Sequence, residues 1–273
     1  MRCATLGARP TRKAEKEMAR ITDLSGEDLQ KVLDVLGKAD SVELKLTVLE
    51  SRRASLARAL GIDAVDAQIR QVFFFDTPKL ALNSAGVVVR ARRRQNDTGD
   101  TVVKIRPVDP AELSDELRAE PEFGVEVDAM PGGYVCSASY KGSADNAKIR
   151  KVVLGDGKTR KLFSKRQRAF FSEHAPDGLE LDDLDILGPI PTFRVKFKSD
   201  GFKRPMVGEL WLYPDGSQVI ELSTKTTPPE AFQTGLEWRA FLESKGIDVS
   251  GEQQTKTKTA LDYFASTLKD PAG

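Results

Sequence analysis

Val89-Arg90-Ala91-Arg92, Val103-Lys104-Ile105-Arg106 and Phe193-Arg194-Val195-Lys196-Phe197-Lys198 share one pattern, a basic residue at every second position with an apolar residue between. Successive side chains of a β-strand point to opposite faces, so each segment puts its charges on one face and its apolar residues on the other. Val42-Glu43-Leu44-Lys45-Leu46 and Val125-Glu126-Val127-Asp128 repeat the pattern with carboxylates included. An isolated strand of this kind usually turns its charged face to water. Here arginine and lysine cluster with a few carboxylates, while Ser, Thr and Gln are scarce on that face. If the sheet closes on itself, the charged face lines a cavity suited to a polyanion and a divalent metal.

The alternation predicts eight strands, near 41–49, 69–75, 87–94, 101–106, 123–129, 192–199, 206–213 and 218–225. Turn chemistry at Ala85-Gly86, Asn96-Asp97-Thr98-Gly99-Asp100, Ser199-Asp200-Gly201 and Pro214-Asp215-Gly216 separates several of them. Eight strands is the count at which a barrel closes around a side-chain-filled or small-ligand interior. The expected fold is therefore α+β, an eight-stranded antiparallel β-barrel with helices over its aliphatic outer face. Residues 134–190 read as a mostly helical insertion between strands, and the chain from Pro228 reads as helical.

A chain of 273 residues with 40% hydrophobic content supports a single domain, expected over 25–273 after a basic, disordered leader at 1–24. Lys+Arg 42 against Asp+Glu 41 gives no global basic field of the kind that coats nucleic acid or adsorbs to a membrane. Anion binding must then be local. No segment approaches the ~20 apolar residues that span a bilayer, and the expected location is the cytoplasm. Cys3 and Cys136 are too few for a disulfide framework or a thiolate metal site, and His174, the sole histidine, is expected at a helix surface.

Parity places Lys45, Arg90, Arg92, Arg94, Lys104, Arg106, Arg194, Lys196, Lys198 and Lys225 on the inner face, with Glu43, Glu126, Asp128, Glu209 and Glu221 among them. Enclosing ions costs several kcal/mol each unless they are paired, so an excess of bases implies a bound anion. Carboxylates among those bases imply a hard cation that bridges carboxylate and phosphate oxygens. Trp211 and Tyr213 share parity with Glu209 and are expected to pack the barrel. The basic run Lys165-Arg166-Gln167-Arg168 is expected on a solvated helix face.

Phe74-Phe75-Asp76-Thr77-Pro78-Lys79-Leu80-Ala81-Leu82, running on to Ala85-Gly86-Val87-Val88-Val89-Arg90-Ala91-Arg92, resembles the most recognisable stretch of the CYTH superfamily, the triphosphate tunnel metalloenzymes. Val42-Glu43-Leu44-Lys45 is similar to that family's opening acidic strand, Val103-Lys104-Ile105-Arg106-Pro107 to its lysine strand and Val219-Ile220-Glu221-Leu222 to its late acidic strand. Thr257-Lys258 sits where the family has Ser-Lys. The resemblance implies a metal-dependent triphosphatase acting on inorganic or organic triphosphate or polyphosphate, as a monomer or homodimer. It implies that Lys45, Arg90, Arg92, Lys104, Arg194 and Lys258 clamp phosphates, with Arg106 and Lys196 added from parity. It further implies that Glu43, Glu126 and Glu221, with Asp128 and Glu209 in reserve, hold Mg²⁺ or Mn²⁺, and that Glu43, Lys45, Arg92 and Lys104 carry catalysis.

Ser41 and Ser223 stand where the family has glutamates. A hydroxyl attracts a divalent cation far less than a carboxylate does, so one metal ion is expected rather than two. The alternatives on the same motifs are an adenylyl cyclase of class IV type and a module that binds polyphosphate or nucleotide without turning it over.

Overall fold

A computed structural model describes residues 26–48, 53–249 and 256–269. The leader expected over 1–24 lies outside these residues. The strands are β1 (Ser41–Val48), β2 (Gln68–Asp76), β3 (Val87–Arg94), β4 (Gly99–Ile105), β5 (Phe123–Met130), β6 (Gly133–Ala144), β7 (Asp185–Ser199), β8 (Phe202–Leu212) and β9 (Gln218–Thr226). They close a barrel in the order β1-β5-β6-β4-β3-β2-β7-β8-β9. The β1–β5 pairing is parallel and the other pairings are antiparallel. The barrel expected from the sequence is present, with nine strands in place of eight and a mixed rather than wholly antiparallel ladder.

The additional strand is β6, which the sequence reading assigned to the insertion. Val135, Ser137 and Ser139 share one face, small and uncharged beside Glu126 and Lys104, while Cys136, Ala138 and Tyr140 on the other face are buried in the outer core. With both faces covered, the strand reads as near-continuous and the charge alternation is missing. Residues 185–190 likewise belong to the start of β7, so only 145–184 lies outside the barrel wall.

The barrel wall sorts its side chains by parity. In β1, Val42, Leu44, Leu46 and Val48 are buried toward the outer core while Ser41, Glu43, Lys45 and Thr47 alternate with them. Outside the wall lie α1 (Gly26–Gly37), α2 (Arg53–Leu60), α5 (Asn146–Val153), α6 (Lys165–His174) and α7 (Ala231–Ser244), which bury Val32, Leu36, Leu56, Leu60, Ile149, Val152, Phe170, Phe171, Trp238 and Phe241. Each such side chain contributes about 1.5–3 kcal/mol relative to exposure. Short helices α3 (Ala81–Ser84) and α4 (Asp115–Arg118) complete the connections.

Local sequence fixes the helical insertion. Asp145 caps α5 by accepting the Ala147 and Lys148 N–H groups, and Ser164 with Gln167 forms a reciprocal capping box on α6. Gln167 is then buried: its amide donates to Thr101 O and Tyr140 O at 3.2 Å each, tying α6 to β4 and β6. Exposed Lys165 and Arg166 lie on the same helix, and Arg166 pairs with Glu120 and Glu122. His174 ends α6 half-buried against Phe170.

The connection into β3 depends on Gly86. Its φ is +77°, and a Cβ there would stand 2.4 Å from Arg106 O, which follows the last residue of β4. The Gly86 carbonyl accepts the Arg106 N–H at 2.8 Å, so β3 and β4 are fastened where Lys104 enters the interior.

One end of the interior is solid. Val72, Phe74, Val88, Leu187, Ile190, Trp211, Tyr213 and Val219 form an apolar cluster with Ala260 and Leu261 of α8 (Lys256–Lys269). Phe74 stacks on Trp211 with ring centroids 6.3 Å apart, so Trp211 and Tyr213 pack the barrel as expected. The charged side chains occupy the rest of the interior.

Candidate functional site

The charged interior has two halves. In the first, β1 contributes Glu43 and Lys45, β4 contributes Lys104, β5 contributes Glu126 and Asp128, and β9 contributes Lys225. The parallel register sets Ser41 opposite Glu126 and Glu43 opposite Asp128. Lys45 Nζ lies 2.8 Å from Asp128 and 3.2 Å from Glu43, Lys104 Nζ lies 3.4 Å from Asp128, and Lys225 pairs with Glu126. Ser41 Oγ donates to Glu126 at 3.3 Å. One oxygen each from Glu43, Glu126 and Asp128 lie within 4.8 Å of one another, a spacing that suits a shared cation.

The electrostatics follow from burial. Desolvation pulls the Lys45 ammonium down, but Asp128, Glu43 and Glu221 outweigh it and hold it above the ordinary lysine value. Lys104 is pushed down by burial, only partly offset by Asp128. Burial raises the Asp128 carboxyl, yet Lys104 and Lys45 more than compensate and bring it to about 2. Glu126 is likewise lowered: desolvation opposes the shift and Lys225 supplies it.

The second half is arginine-rich. Arg90 and Arg92 from β3 join Arg70 from β2 and Arg194 from β7, facing Asp100 of β4 and Glu209 of β8. Arg92 forks onto Asp100, with Nε at 3.0 and 3.1 Å and Nη2 at 2.9 Å. That leaves Arg90 only a 3.8 Å approach to the same carboxylate, and its buried Nε has no hydrogen-bond partner among the described residues. Burial, then Arg92, pushes the Arg90 guanidinium down to about 9; burial, then Arg92 and Arg194, takes Arg70 to about 10. Arginine keeps its proton in proteins, so these directions measure positive charge held without enough compensation. Arg94 sits at the outer end of the row, bonded to Asp97 and Thr98 O.

Between the halves and the apolar plug lies Lys256, the first residue of α8. Its ammonium pairs with Glu209 and, at 2.7 Å, with Glu221. Among the described residues, Lys45, Arg70, Arg90, Arg92, Lys104, Arg194, Lys225 and Lys256 thus face six carboxylates, Glu43, Asp100, Glu126, Asp128, Glu209 and Glu221.

Most residues singled out from the sequence converge here. Glu43, Lys45, Arg90, Arg92, Lys104, Glu126, Asp128, Arg194, Glu209 and Glu221 all reach the interior. Arg106 lies just past the end of β4, its guanidinium pushed down by burial against the pull of Asp128. Lys196 keeps the inner parity but is exposed toward the end of β7. The Lys258 side chain lies outside the described residues. The expected metal set divides: Glu43 and Glu126 join Asp128, whereas Glu221 joins Glu209 around Lys256.

Three interior residues escaped the sequence reading. Asp100 was expected in a hairpin loop, but β4 begins at Gly99. Arg70 precedes Val72-Phe73-Phe74-Phe75, where both strand faces are apolar and parity gives no signal. Lys256 belongs to a helix, which a strand-parity argument does not cover.

No family model matches the sequence, and no curated protein matches it. Solved structures do. A candidate adenylyl cyclase of Hippeastrum, described as having a dominant triphosphatase activity, superposes with a TM-score of 0.60 at 20% identity, over 81% of this chain and 95% of its own. A candidate adenylate cyclase of Bacillus halodurans superposes at 0.57 with 12% identity, over 81% and 97%. This chain has their fold. The closed β-barrel with flanking helices expected from the sequence is the architecture observed, with one end filled by the apolar plug. Among the described residues no helix is long and apolar enough to cross a membrane.

Proposed function

We propose that this barrel binds a triphosphate together with Mg²⁺ or Mn²⁺ and hydrolyses its terminal phosphoanhydride. The observation that carries the reading is Arg90: a buried guanidinium whose Nε has no partner among the described residues, in an arginine row whose carboxylates are already shared. A phosphate oxygen supplies the missing acceptor and the missing charge, and the guanidinium fork matches its geometry. Inorganic triphosphate meets these requirements, and so does the phosphate chain of an organic triphosphate.

The metal reading rests on donor chemistry. Glu43, Glu126 and Asp128 offer three hard oxygens within 4.8 Å, the ligand type that Mg²⁺ and Mn²⁺ take alongside substrate phosphates. When bound, the ion would neutralise charge on the phosphate oxygens and orient water. The chain's own groups do the rest. Arg90, Arg92, Arg70 and Arg194 hold the phosphate chain; Lys45 and Lys104 exchange Asp128 for phosphate oxygens; and the plug around Trp211 closes one end to solvent. Water adds at the terminal phosphorus as the anhydride P–O bond breaks, giving orthophosphate and diphosphate without a protein nucleophile.

The test is to incubate the purified chain with triphosphate, ATP or thiamine triphosphate and either metal, then assay orthophosphate and cyclic AMP. Metal-dependent orthophosphate release is expected. Cyclic AMP as the main product would make it a cyclase, and tight binding with neither product would make it a binding module.

A further inference from the structure

We propose that Lys256 is a built-in counter-cation that closes the Glu209–Glu221 pair to metal and confines divalent-ion binding to Glu43, Glu126 and Asp128. The inference rests on the metal reading above and goes beyond it by assigning a role to a residue of α8. Glu209 and Glu221 are directly paired across β8 and β9, on the same face. Like charges directly opposite on one sheet face repel, so this pair needs a cation between its carboxylates. A second metal ion is one solution. Lys256 is another, and it is already in place.

Its placement is over-determined. The ammonium contacts Glu209 and lies 2.7 Å from Glu221 and 5.3 Å from the Trp211 ring centroid. Its carbonyl accepts the Tyr213 hydroxyl at 2.9 Å. Glu209 also receives Trp211 Nε1 at 3.2 Å and lies 3.4 Å from Arg194, leaving it little capacity for a further cation. The three-carboxylate cluster differs in what guards it. Lys225, the partner of Glu126, has a side chain 57% exposed, against 17% for Lys256. An exposed lysine on its flexible stem turns into water at small cost, whereas a buried ammonium pinned through its own backbone does not.

The experiment counts bound Mn²⁺ by electron paramagnetic resonance of the free ion, on the full chain with a non-hydrolysable triphosphate analogue present. One ion is expected for the wild type and two for Lys256→Met, which keeps the stem and removes the charge. Glu209→Gln with Lys256 intact, a variant that does not unpair Lys256 from Glu221, should leave the count at one and the Mn²⁺ affinity within about threefold. One ion in both the wild type and Lys256→Met overturns the inference while leaving the metal reading in place, as do two ions in the wild type. A fall of tenfold or more in Mn²⁺ affinity in Glu209→Gln also overturns it. No ion in the wild type overturns the inference together with the metal reading at Glu43, Glu126 and Asp128, whatever Lys256→Met binds.

Discussion

Asp128 lies 2.8 Å from Lys45 Nζ across the parallel seam where β5 meets β1. The same carboxylate holds Lys104 at 3.4 Å, so one buried acid anchors two buried bases. Asp128→Asn should therefore destabilise the fold by about 3–5 kcal/mol at neutral pH, the cost of leaving buried charge without its partner. The native carboxyl sits at about 2, below its ordinary value near 3.9. A depressed native value means that its stabilisation is complete above about pH 4 and is lost as the pH falls toward 2. Denaturant unfolding along that pH range should show a shallower acid loss in Asp128→Asn than in the wild type; equal slopes would remove Asp128 as the acid-sensitive group.

Arg90 and Arg92 sit on one strand face, yet their truncation should affect the stability of the unliganded protein differently. Arg92 neutralises Asp100, so Arg92→Ala leaves that carboxylate short of a partner and should lower the thermal midpoint as well as phosphate binding. Arg90 is the under-compensated member. Removing it should leave the unliganded midpoint unchanged or higher. A charge-assisted hydrogen bond is worth about 1.5–3 kcal/mol, so triphosphate affinity should still fall roughly tenfold to a hundredfold in Arg90→Ala. Calorimetry and thermal unfolding on the two variants decide it, and a collapse of the unliganded Arg90→Ala protein would mark Arg90 as structural.

The barrel was legible wherever one strand face is charged and the other aliphatic, because that contrast survives in the sequence as period-two alternation. Glu43, Lys45, Arg92 and Lys104 were found in this way. The pattern fails where both faces meet other protein atoms. β6 carries serines inward and Cys136, Ala138 and Tyr140 outward, and β2 turns apolar on both faces from Val72 onward, hiding Arg70. How the acids divide between a metal-like cluster and a lysine-bound pair depends on register and on α8, and strand spacing alone carries neither. The CYTH-like motifs located the strands without resolving that division.

The helical insertion is fastened to the barrel by Gln167, whose amide meets Thr101 O and Tyr140 O. Gln167→Leu should cost about 1–3 kcal/mol, since two buried carbonyls lose a donor. These contacts lie on the outer wall, so triphosphate affinity should change less than threefold while amide exchange rises through α6. A large loss of affinity would instead place the insertion in contact with the bound phosphate.

Ser41 stands opposite Glu126 and donates to it at 3.3 Å, at a position where a carboxylate would complete the acidic strand of β1. Ser41→Glu brings a second negative charge beside Glu126, whose compensation comes from the half-exposed Lys225. Without metal the variant should unfold at a lower temperature than the wild type, because like charges on adjacent strand positions repel. With Mn²⁺ the added hard oxygen should tighten binding about tenfold, equivalent to about 1.4 kcal/mol, and restore the lost stability. Thermal unfolding with and without Mn²⁺, paired with calorimetry, reads both effects. Destabilisation that Mn²⁺ leaves untouched would show that the ion does not sit beside Glu126, and the cluster of Glu43, Glu126 and Asp128 would then be an internal ion-pair network alone.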